Sequence, residues 1–132
     1  MAGVQEDITN RADIEKVLVI FYSQAMKDDL IGRFFTEVVS LHLPTHIPLI
    51  ASFWESVLFY TQGYRKNVMD IHQHISNLSP IKKLHLDRWL LLFIRVIDGL
   101  FTGDKANLMK QRATSIATMM NIKLNHGPIQ TI

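Results

Sequence analysis

Apolar residues recur along the chain at helical spacing, and nowhere does an alternating pattern persist long enough to propose a strand. Ile14, Val17, Leu18, Phe21, Tyr22 and Ala25 share one helical face within residues 10–28. Asn10 stands before them as an N-cap, with Asp13 three positions on. "DDLIGRFFTEV" reads as a tight connection followed by a short helical piece. A second helix is expected from about Pro44, which suits a first turn, to Gln62, with Gly63 as its stop. Its stripe of His46, Ile50, Phe53, Trp54, Val57 and Phe59 or Tyr60 is wide enough to be covered from more than one side, and Pro48 falls one turn in. Asn67 to Asn77 has helical spacing over a short length. Ser79 is the expected cap of the next helix, Pro80 to Phe101, whose face of Leu86, Trp89, Leu90, Phe93, Ile94, Ile97 and Leu100 is the most apolar of all. Thr102 to Gly103 opens the last helix, with Met109, Ala113, Ile116, Ala117 and Met120 inward and two small residues permitting close approach.

These elements account for a single all-α domain over residues 1–132, with a core at about 10–124 and a frayed tail at 125–132. With 48% of its 132 residues apolar, the chain can build one core and enclose a guest molecule besides. A formal charge of +2, with basic residues scattered among acids, argues against a nucleic-acid partner. The opening "MAGVQEDITN" lacks the basic and then apolar pattern of a secretory signal, and "VLVIFY" and "WLLLFI" are too short to span a bilayer. A cytoplasmic protein with no membrane attachment is expected.

With no cysteine in the chain, disulfides, thiolate ligands and covalent haem attachment are excluded, so any metal must rest on His, Met, Tyr or carboxylate. Six histidines make imidazole the first candidate. His42 and His46 stand four apart, but Pro44 at a helix start between them breaks the shared face, and a structural zinc site wants four closed ligands. His72 and His74 point about 200° apart on a helix. His72, three residues from both Met69 and Ile75, falls on the apolar side, and His74 joins Asp70 and Asn77 on the polar one. Spacing alone leaves His72 open to two readings, as a ligand or as a buried histidine that only hydrogen-bonds a neighbour. Tyr22 and Trp89 are equally ambiguous between core aromatics and donors into a cavity. No nucleophile elbow, phosphate loop, dinucleotide fingerprint or H-E-x-x-H is present, and Asp28 and Asp29 are expected to be solvated.

The segments "IFYSQAMKDDLIGRFF", "THIPLIASFW", "NVMDIHQHI", "LHLDRWLLLF" and "FTGDKANLMKQRATSIA" resemble, in order and spacing, the bacterial group III truncated haemoglobins over about residues 14–124. The most diagnostic features are seven residues between His46 and Trp54, Phe53 just before that Trp, and the seventeen-residue step from His72 to Trp89. The glycine pairs of the other two truncated groups are lacking. The resemblance implies a two-over-two helical sandwich around non-covalent haem b. In it His72 is the proximal iron ligand, Tyr22, His46 and Trp89 are the polar distal residues, and Phe35, Ile50, Phe53, Trp54, Met69 and Phe93 line the pocket. Arg65 and Lys66 are candidates to pair the haem propionates, with a solvated basic turn as the other reading.

Two departures stand out: Val68 where the family usually has Pro, loosening the turn before the ligand helix, and Leu86 after His85 where an aromatic is usual, enlarging the pocket. The resemblance further implies a monomer with a five-coordinate iron that binds O2, CO, NO or cyanide. Three distal donors favour ligand capture or redox chemistry of the NO dioxygenase or peroxidase kind over oxygen transport, with a reductase as partner for such turnover. The competing reading is a haem-free globin-like helical sensor or interaction domain.

Overall fold

In a computed structural model, residues 5–38, 42–60, 76 and 79–126 are described. The expected Asn67–Asn77 helix lies outside them except for Ser76, which is helical. Four long helices carry the fold: α1 (Arg11–Ala25), α2 (Leu43–Phe59), α3 (Lys83–Leu100) and α4 (Asp104–Asn121). Short π-helical segments, Phe34–Val38 and Ile122–His126, follow α1 and α4 respectively, the second taking up the start of the expected tail. No strand occurs among the described residues.

Helix α1 begins where the sequence says it must. The Asn10 side chain accepts the Asp13 amide at 3.0 Å, and all six residues of the expected face are buried. Each large side chain on that face contributes about 1.5–3 kcal/mol by leaving water. α1 and α2 run antiparallel: Arg11 at the start of α1 donates to Ser52 Oγ and the Pro48 carbonyl, both at 2.8 Å, whereas Tyr22 near its end meets His46 near the start of α2. Ala51 of α2 is fully buried. α3 and α4 form the second antiparallel pair, with Asp98 late in α3 bonded to Lys110 early in α4 at 2.6 Å. α1 also packs on α3, and α2 on α4, so the two pairs lie one over the other. At their centre Phe93 of α3 stacks on Trp54 of α2 at 5.5 Å and takes the Phe21 ring of α1 edge-on at 5.1 Å.

Helix ends depart from the expected boundaries. α2 stops at Phe59, three residues short, because Tyr60 turns left-handed at φ 58° and Lys105 Nζ bonds the Leu58 carbonyl at 2.8 Å while lying 5.6 Å from the Phe59 ring centre. That ammonium satisfies a carbonyl the helix end leaves open. α3 starts later than Pro80 and is not capped by Ser79. Instead the Lys82 amide donates to His85 Nδ1 at 2.9 Å, so an imidazole at the third helical position serves as the acceptor.

Asp28 is not the solvated carboxylate expected. One of its oxygens takes both the Arg88 Nε and Nη2 at 2.8 Å, and the other takes the Leu30 and Ile31 amides, tying the turn after α1 to α3. The chain before α1 does similar work for α4. Asp7 accepts the Lys105 and Ala106 amides at 2.9 Å, capping α4 from outside it. Gly103, at φ 146°, makes room, since a Cβ there would come within 2.4 Å of the Asp7 side chain.

Candidate functional site

Two polar side chains expected at the site are brought together inside apolar surroundings. Tyr22 projects from the buried face of α1 and His46 from the first turns of α2, and the phenol oxygen lies 2.8 Å from His46 Nε2. The antiparallel crossing of α1 and α2 sets that distance. The two rings meet edge-on at 5.1 Å, and Phe35 of the first π-helical segment closes on Tyr22 at 5.8 Å. Burial pushes the Tyr22 hydroxyl far above the ordinary tyrosine value, so the phenol is neutral at any physiological pH. One hydrogen lies between the oxygen and the nitrogen. When Tyr22 supplies it, the phenol is committed to His46; when His46 supplies it, the Tyr22 hydrogen is available to a third group.

Around this pair the chain is aromatic and aliphatic. α2 has two apolar faces. Ala51, Trp54 and Leu58 are buried against its neighbours, whereas Ile47, Ile50, Phe53 and Val57, on the side of His46, are only half-buried. A helix facing water on that side would carry polar residues there; this one continues apolar. Such a surface beside a neutral donor suits a flat apolar group with one polar ligand standing off it.

Trp89 lies half-buried on α3, stacked on Phe93 at 5.4 Å and edge-on to Phe21 at 6.2 Å; Phe21 in turn packs on Tyr22 at 5.1 Å. Trp54 and Phe93 form the stacked centre of the core, and Phe53 touches Trp54 at 5.4 Å. Tyr22, His46, Phe35 and Trp89 thus belong to one continuous set of rings. His42, the residue before α2, goes elsewhere: exposed, it pairs with Thr45 Oγ1 at 2.9 Å. Among the described residues there is no cluster of His, Asp or Glu able to hold a metal ion. His72, Met69, Arg65 and Lys66, with His74 and Val68, lie outside the described residues.

The direct Tyr22 to His46 bond was not foreseen in the sequence, although both residues were. No local signal could give it, because the partners are 24 positions apart and belong to different helices. Among the described residues, no helix is long and apolar enough to cross a membrane.

No known family profile matches the chain. A curated relative, the group 3 truncated hemoglobin ctb of Campylobacter jejuni, is 27% identical over 122 residues, covering 89% of this chain and 94% of the relative. The crystal structure of the group III truncated hemoglobin from Campylobacter jejuni superposes with a TM-score of 0.79 at 24% identity, over 95% of this chain and 99% of the other. The four helices, their two-over-two packing and this near full-length likeness agree with the resemblance carried by the sequence motifs: the chain has the truncated-globin fold and is similar to the group III truncated haemoglobins.

Proposed function

We propose that this chain binds haem b non-covalently, with His72 as the proximal iron ligand and Tyr22, His46 and Trp89 on the distal side, and captures small diatomic ligands there. The observation that carries the reading is the buried, neutral Tyr22 hydroxyl 2.8 Å from His46, set beside an apolar face of α2 that is only partly covered. Residues of that face, Ile50 and Phe53, together with Phe35, would flank the porphyrin, and Arg65 and Lys66 would meet its propionates. Haem would supply an iron able to bind a small diatomic ligand such as O2, CO or NO.

The remaining chemistry belongs to the side chains. A phenol that cannot ionise keeps its hydrogen and can only donate it or share it. His46 decides which: accepting at Nε2 it holds the phenol hydrogen, and donating there it frees that hydrogen for a ligand in the pocket. A hydrogen bond to a charged or strongly polarised group contributes about 1.5–3 kcal/mol, and about 1.4 kcal/mol is a factor of ten in a rate or equilibrium. Two such donors acting together would slow release too far for a carrier. Capture, or redox chemistry on the captured ligand with a reductase supplying electrons, is therefore the proposed role, ahead of oxygen transport.

The proximal assignment is tested by His72→Gly. The variant is expected to be poorly coloured and to regain its haem spectrum when imidazole is added; an unaltered spectrum would move the ligand to another histidine, His74 first.

A further inference from the structure

A histidine the proposed function does not use sits at the junction of two elements. His85, half-buried in the first turn of α3, receives the Lys82 amide on Nδ1 at 2.9 Å. Its ring also meets Phe34 edge-on at 4.9 Å, and the Arg33 guanidinium lies 4.6 Å from the centre of that same Phe34 ring. One imidazole therefore joins the cap of α3 to the π-helical segment that follows α1. We propose that His85 is a proton-operated clasp: uncharged, it caps α3 and holds the Phe34–Val38 segment against it, and on taking up a proton it gives up the cap and loosens both.

The chemistry runs one way. To accept the Lys82 amide, Nδ1 must offer a lone pair, and the imidazolium has none, because both ring nitrogens then carry hydrogen. A cation at that place also opposes the helix dipole, whose positive end is the N-terminus. The first turn of α3 contains no acid to offset it. The charged groups shown to act on His85 are Arg33 from the connection and Lys82 from its own helix start, both positive. The neighbouring acids are engaged: Asp87 with Lys83 at 2.7 Å, and Asp28 with Arg88 at 2.8 Å. Burial first, then Arg33 and Lys82, hold the His85 imidazole below its ordinary value of 6.5. The effect reaches the candidate site through the backbone, since Phe35, next to Phe34, is the residue that closes on Tyr22. None of this depends on a bound cofactor.

The test is a proton and nitrogen NMR titration of the full chain over about pH 5 to 8, the range in which a histidine changes charge. His85 is expected to titrate below the ordinary histidine value. The Lys82 amide should shift with the same midpoint, and the Leu86 amide, bonded to the Lys82 carbonyl at 3.2 Å, should lose exchange protection as the proton is taken up. His85→Gln keeps an acceptor but does not titrate, so its Lys82 and Leu86 amides should be flat across the range. Arg33→Gln should move the His85 midpoint upward. A Lys82 amide that ignores the His85 titration, a step that survives in His85→Gln, or a midpoint at or above the ordinary value would each overturn the clasp.

Discussion

Tyr22 Oη and His46 Nε2 share a single hydrogen across 2.8 Å, held between α1 and α2 with the two rings edge-on at 5.1 Å. The phenol is locked in its neutral form by burial, which makes His46 the partner that sets where the hydrogen points.

Removing that hydrogen should be visible in ligand kinetics. Tyr22→Phe keeps the ring packing against Phe21 and Phe35 and deletes only the donor. Oxygen release from the reduced, haem-loaded protein is expected to accelerate roughly ten- to a hundredfold, the loss of one hydrogen bond to a polarised ligand. Stopped-flow displacement by CO measures it, and equal rates would take Tyr22 out of the mechanism.

Acid stability should report Asp28. Arg88 first, then the Leu30 and Ile31 amides, hold this carboxyl below its ordinary value of 3.8. A depressed folded-state value contributes stability that is complete above the unfolded value and disappears as the pH falls through the folded one. Urea unfolding midpoints should therefore drop as the pH is lowered past 3.8. Asp28→Asn should be less stable at neutral pH and should lose part of that acid slope; a slope identical to wild type would show that the Asp28 to Arg88 pair contributes nothing to it.

Gly103 is expected to resist substitution. Alanine there must adopt φ 146° and push its Cβ into the Asp7 carboxyl, which caps α4. Gly103→Ala should cost about 1–3 kcal/mol from backbone strain. Asp7→Ala, which removes the cap alone, should cost about 1 kcal/mol. Thermal unfolding of both variants checks the order, and a Gly103→Ala protein as stable as wild type would contradict it.

Much of this architecture was legible locally. The buried face of α1 and its Asn10 cap, Pro44 in the first turn of α2, and the Met109, Ala113, Ala117 and Met120 stripe of α4 all follow from periodicity and capping chemistry, which act within a few residues. What was illegible depends on partners far along the chain. The end of α2 is marked by the left-handed Tyr60 and by Lys105, which reaches back to the Leu58 carbonyl from 47 positions on. Asp28 looked like a solvated turn residue because Arg88 is 60 positions away. Asp7 showed no sign of its role at the start of α4. The candidate site divides the same way. Motif order singled out Tyr22, His46 and Trp89, whereas the bond between the first two, and the ring contacts through Phe21 that connect them to the third, come from how the helices cross.

The central claim is that one histidine of this chain holds an iron porphyrin with the opposite axial position open, and an absorption spectrum of the purified protein, reduced and exposed to carbon monoxide, tests it most directly. The account predicts a coloured protein with an intense blue-region band that sharpens and shifts when the gas is added. A chain that stays colourless after incubation with excess haem, or a band indifferent to carbon monoxide, would contradict it and leave a globin-shaped helical domain whose histidines serve only to pack and cap.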